Sequence, residues 1–106
     1  MKIDIKPLSV NKAWQGRRYK TKAYKAFEKE MLLLLPKLKN PITTPIKISL
    51  VFGFSSKLSD IDNPIKMVLD ILQKKYKFND RDIYELNIKK EITKKGYEFI
   101  KIDFFN

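Results

Sequence analysis

Cysteine and histidine are both absent from this chain of 106 residues. Their absence removes disulfides, thiolate nucleophiles, imidazole bases and the common zinc ligand sets together. Any chemistry therefore falls to carboxylates, lysines, hydroxyls and a hard metal ion. Acidic side chains are scarce too, 12 against 23 basic ones, which leaves a formal net charge of +11. Among the basic residues only Arg17, Arg18 and Arg81 are arginine. No repeat or low-complexity segment is present. The apolar run at residues 31–35 falls far short of the roughly 20 residues a membrane span needs. Residues 1–8 alternate isoleucine with charge and lack the continuous apolar stretch of a secretory leader. The expectation is a cytoplasmic protein with no membrane association.

What is present suffices for a folded domain. A hydrophobic fraction of 43%, with 12% aromatic residues, argues against a disordered tail. The length fits a single domain over residues 1–106. Lysine-rich compositions usually carry glutamate alongside, and here the two are unbalanced. So large an excess of positive charge in a small domain draws it to phosphate backbones through summed field and counterion release.

The patterning predicts an α+β fold. Residues 2–6 alternate through Ile3 and Ile5 as a short strand that Pro7 ends, and residues 8–19 read as a loop. A helix is predicted over 21–35, stopped by Pro36. Residues 45–54 alternate cleanly, with Ile46, Ile48, Leu50, Phe52 and Phe54 on one face. A polar loop over 55–63 leads to a second helix, for which Asn63 is the expected N-cap and Pro64 the first helical residue. That helix carries Ile65, Val68, Leu69, Ile71 and Leu72 as its apolar stripe. Residues 79–82 form a turn, and 83–93 with 97–104 read as an antiparallel hairpin about Lys94-Lys95-Gly96. The order is strand, helix, strand, helix, strand, strand: two helices on a small mixed sheet of about four strands.

The few carboxylates are placed informatively. Asp60 and Asp62 stand two apart, and on an extended segment both would point to one side. Two carboxylates aimed together repel unless a cation sits between them or one is protonated. A hard ion such as magnesium suits carboxylate oxygens and keeps water in its shell. Lys66, in the first turns of the helix, can reach back beside them, and Asp80 returns after the helix to complete the set. The same Asp-x-Asp-Asn-Pro run also serves ordinary helix capping and dipole chemistry. A calcium loop of the EF-hand type is excluded, because Pro64 and Lys66 stand where ligands would be needed and no glycine follows.

The run Asp60-Ile61-Asp62-Asn63-Pro64-Ile65-Lys66-Met67-Val68-Leu69-Asp70-Ile71-Leu72 resembles the signature of RusA-type Holliday-junction resolvases. Pro7-x-Ser9-x-Asn11, followed by Trp14, Arg17 and Arg18, resembles that family's first loop. Asn79-Asp80-Arg81-Asp82-Ile83 resembles its acidic turn. The likeness runs over residues 3–104. It implies a magnesium-dependent endodeoxyribonuclease with Asp60, Asp62 and Asp80 as metal-binding carboxylates and Lys66 as the essential lysine. It also implies a homodimer acting on branched DNA. Asp70 would then be a partner of Lys66 rather than a ligand. Two departures bear on the third ligand: Asp82 replaces the family's Gln, and Arg81 stands where many relatives have a second Asp. Asp80 and Asp82 therefore both remain candidates.

Asn11, Arg17, Arg18, Lys20, Lys22, Lys74 and Lys75 are the candidate DNA contacts, with Lys25 and Lys77 in the same clusters. Trp14 and Tyr19 would either stack on an unpaired base or enter the core. Two-fold symmetry in a four-way junction is met by a two-fold dimer, and residues 31–35 are a candidate for part of its interface. The alternative reading is a non-catalytic basic DNA-binding module; an RNA-cleaving toxin fits less well without histidine. Metal dependence of cleavage separates all three.

Overall fold

The computed structural model describes residues 1–9, 14–15 and 19–105. In chain order these form strands β1 (Lys2–Ile3), β2 (Trp14–Gln15) and β3 (Tyr19–Lys20), helix α1 (Lys22–Leu34), strand β4 (Ile46–Phe54) and helix α2 (Ile65–Tyr76). A short 3-10 helix (Asp80–Asp82) then leads to β5 (Ile83–Ile92) and β6 (Phe99–Phe105). The expected α+β fold, a four-stranded mixed sheet with two helices, is what the chain forms. Among the described residues no helix is long and apolar enough to cross a membrane.

The sheet order is β1-β6-β4-β5, so β4 is its centre. β4 pairs parallel with β5 and antiparallel with β6. The alternation along β4 has a direct consequence: Ile46, Ile48, Leu50, Phe52 and Phe54 are all buried on one face. α1 adds Tyr24, Phe27 and Met31 to the same core, and α2 adds Met67, Val68, Ile71 and Leu72. Each such side chain withdrawn from water contributes about 1.5–3 kcal/mol before entropy is charged against it. The 31–35 run divides between these demands. Met31 and Leu35 are buried in the core, whereas Leu33 and Leu34 remain exposed.

The hairpin expected from 83–93 and 97–104 does not form. β5 and β6 lie on opposite sides of β4, and the connection at 93–98 crosses over the end of that strand. Gly53 makes the crossing fit, because a Cβ there would fall 2.3 Å from the Phe99 ring. Gly96, with φ +92°, turns the chain on its way across. Parallel pairing of β4 with β5 requires a long connection, and α2 is that connection. The first strand is also shorter than expected, ending at Ile3. The segment expected to be all loop contains a small ladder instead, with Trp14 opposite Lys20 and Gln15 opposite Tyr19.

Both helix starts depart from the loop by different means. The hydroxyl of Thr21 accepts the Tyr24 N–H at 3.2 Å and caps α1. At α2 the expected Asn63 cap is not used. Pro64 occupies the cap position in helical conformation with no side-chain cap bond. Asn63 instead donates its N–H to the Asp60 carbonyl, and Ile65 donates to that of Asp62, both at 3.3 Å. Buried Pro64 anchors these turns against the core.

Candidate active site

The β4–α2 loop leaves the carboxyl end of the central strand, the end at which open α/β sheets present their ligands. Asp60 and Asp62 ride on it, and both are exposed. The loop has already turned at Asp62, so the extended spacing expected to align the two side chains does not hold. Among the described residues neither carboxylate has an ion-pair partner, although the chain carries a charge of +11.

Lys66 lies in the first turn of α2, and its contacts differ from the expected ones. Its Nζ does not reach back to Asp60 or Asp62. It meets Asp70 Oδ1 at 3.1 Å and Asp80 Oδ2 at 4.0 Å. The expected pairing of Asp70 with Lys66 is therefore present. The ammonium stays 66% exposed, so it is oriented by these carboxylates without being enclosed by them. An exposed pair of this kind adds little stability; its consequence is placement.

Asp80 reaches Lys66 because the chain folds back along the flank of α2. Gln73 performs the docking, a role the sequence reading missed. Its Oε1 accepts the Asp80 N–H at 2.9 Å, while its Nε2 donates to the Leu69 carbonyl at 3.1 Å. Asn79 caps the short 3-10 helix by accepting the Arg81 N–H at 3.0 Å. The signal was in the spacing: Lys66, Asp70 and Gln73 recur at helical intervals and form one polar stripe. Asp82 lies in the same 3-10 turn and is half-buried.

Among the described residues no group of three carboxylates lies close enough to hold a metal ion. Asp80 is instead engaged along the flank of α2, its N–H on Gln73 and its carboxylate 4.0 Å from the Lys66 ammonium. The donor chemistry suits a hard cation nonetheless, being oxygen throughout and accessible at Asp60 and Asp62. Magnesium is commonly held by one or two carboxylates together with substrate phosphates, not by a closed protein cage.

The candidate DNA contacts fall into three groups. Asn11, Arg17 and Arg18 lie outside the described residues, as do the side chains of Trp14 and Tyr19. Lys20 and Lys74 both bond Glu28, each at 3.0 Å, and Lys75 donates to the Leu32 carbonyl at 3.2 Å. Lys22 is exposed with no ion-pair partner among the described residues. Burial pushes the Glu28 carboxyl up, but the hydrogen bonds and charges of Lys20 and Lys74 outweigh it and hold it below the usual range. Glu28 thus joins β3, α1 and α2 through one half-buried carboxylate.

A family model described as Endodeoxyribonuclease RusA matches residues 6–103. No curated protein matches the chain. The match covers nearly the whole chain and contains every residue of the site built above, so the chain belongs to the RusA endodeoxyribonuclease family.

Proposed function

We propose that this RusA-family nuclease resolves four-way DNA junctions by magnesium-dependent, symmetric hydrolysis of phosphodiesters, acting as a homodimer in the cytoplasm. One observation carries the reading. The Asp60–Asp62 loop presents two exposed carboxylates, without ion-pair partners among the described residues, at the carboxyl end of the central strand, and a lysine oriented by two further carboxylates follows in the first turn of α2.

Asp60 and Asp62 would hold magnesium with Asp80 as the third carboxylate, phosphate oxygens and water completing the shell. When bound, the ion supplies charge relief on the scissile phosphate and an acidified water. The chain's own residues do the rest. Asp70 and Asp80 keep the Lys66 ammonium extended in a place where it can turn to the charge that grows on the phosphate oxygens. Lys22, with Arg17, Arg18 and the clusters at Lys20, Lys74 and Lys75, would neutralise backbone phosphates and set the register of the DNA. Leu33 and Leu34, exposed on α1, remain the candidate contribution to the dimer. Sedimentation showing only monomer at micromolar concentration would defeat that part of the reading.

Asp62→Asn tests the site directly. Junction binding should survive while cleavage is abolished, and a variant that cut at the normal rate would remove Asp62 from the mechanism. A second reading, a DNA-binding module that does not cut, is favoured by one observation, that no three carboxylates converge among the described residues. Binding without cleavage under every divalent ion would select it.

A further inference from the structure

The loop that carries Asp60 and Asp62 has almost nothing apolar to hold it. Between Phe54 and Pro64 no residue is buried, and its Leu58 is 92% exposed. Burial fixes both ends and leaves the middle to polar ties. Three of those ties are internal: Ser59 N–H donates to the Ser56 carbonyl and Leu58 N–H to the Ser56 hydroxyl, each at 3.2 Å, and Asn63 N–H to the Asp60 carbonyl at 3.3 Å. A tie from the sheet reaches the residue before Asp60. Lys90 of β5 stands opposite Phe52 in the parallel ladder, and its Nζ donates to the carbonyls of Lys57 at 2.9 Å and Ser59 at 2.5 Å.

An ammonium that draws two carbonyls together fixes the backbone between them, and Ser59 is the residue before Asp60. We propose that Lys90 is a positioning residue for Asp60 and Asp62, strapping the loop to the sheet in place of the hydrophobic anchor it lacks. The strap is half-buried, and two of its three donors go to loop carbonyls, which distinguishes it from a freely extended surface lysine. The inference rests on the reading that these carboxylates act on DNA, although the strap itself stands apart from it. In the sequence Lys90 looks like one more basic residue of the Lys89-Lys90 pair. Register and the two carbonyls distinguish it.

The test uses the full chain with Lys90→Met and Lys90→Arg. Amide hydrogen exchange over residues 57–62 should quicken at least tenfold in Lys90→Met and return towards the wild-type rate in Lys90→Arg, with exchange in β4 and α2 unchanged. Junction cleavage at limiting Mg²⁺ should fall at least tenfold, with the Mg²⁺ needed for half-maximal rate raised and junction affinity within about twofold. The salt dependence of binding should not move. A residue contacting phosphate would instead lose about 0.9 from that slope with no change in loop exchange, and this would overturn the proposal. Faster exchange throughout the molecule with a lowered Tm would overturn it also, showing a role in folding alone. If the wild-type chain fails to cut junctions while loop exchange still responds to Lys90→Met, the strap holds and the proposed function is what fails.

Discussion

Two acidic places in this basic molecule have opposite surroundings. Glu28, on α1, is half-buried and takes a lysine on each oxygen, Lys20 and Lys74 at 3.0 Å. Asp60 and Asp62, on the β4–α2 loop, are exposed and have no ion-pair partner among the described residues. Glu28 is a structural charge, neutralised within the fold and joining three elements. Among the described residues nothing neutralises the loop carboxylates, in a chain with nearly twice as many basic as acidic residues. Such a pair suits a cation delivered from outside. Lys66 stands between the two cases, paired to Asp70 and Asp80 yet still open to solvent.

Substitutions can break this contrast in graded steps. The largest effect is expected at the loop: Asp60→Asn should lower junction cleavage by more than about a thousandfold, in line with loss of a group that stabilises the transition state, without a change in Tm. Lys66→Met should cost about a hundredfold in single-turnover rate while leaving junction affinity nearly intact. Glu28→Gln should do the reverse, leaving cleavage per folded molecule unchanged and lowering stability by about 1–2 kcal/mol, the scale of charge-assisted hydrogen bonds. Its pH dependence follows from the depressed carboxyl. The stabilisation is present above the unfolded-state pKa of an ordinary glutamate and is lost as pH falls through the lower folded value. Acid unfolding of the wild type should therefore lose a component between these two values that is missing in Glu28→Gln. The smallest effect separates the lysines. Lys22→Ala should reduce the slope of log affinity against log salt by about 0.9, and Lys74→Ala by less, because Lys74 already serves Glu28.

The packing side of the account has its own test. Gly53→Ala puts a methyl into the Phe99 ring and should cost about 1–3 kcal/mol as overpacking, measured by denaturant unfolding. Tolerance without loss would mean that the crossing over β4 does not depend on that close approach.

How much of this was legible beforehand differs between the elements. The period-two run in β4 and the apolar stripe of α2 are written in single positions, and both elements formed as read. Strand partners are not written that way. β5 and β6 both alternate and are joined by a Gly-containing turn, which is the pattern of a hairpin. The decision lay in β4, whose dense run at 50–54 marks a central strand, and in Gly53, which admits Phe99 across it. The Asn63 cap failed for a related reason, because burial of Pro64 and the turn carbonyls of Asp60 and Asp62 organised the helix start instead. The carboxylates of the site, Lys66 and its Asp70 partner were all visible in the sequence. Gln73 was legible only as part of a polar stripe, without its bond to the Asp80 N–H, and Lys90 was not legible at all, since it acts on a backbone group distant along the chain.

The central claim meets its most direct test in cleavage of a labelled four-way junction beside a matched linear duplex, each with Mg²⁺ and with EDTA. Paired, symmetric nicks confined to the junction and lost in EDTA are the predicted result. Equal cutting of the duplex, or cutting that persists in EDTA, would contradict it.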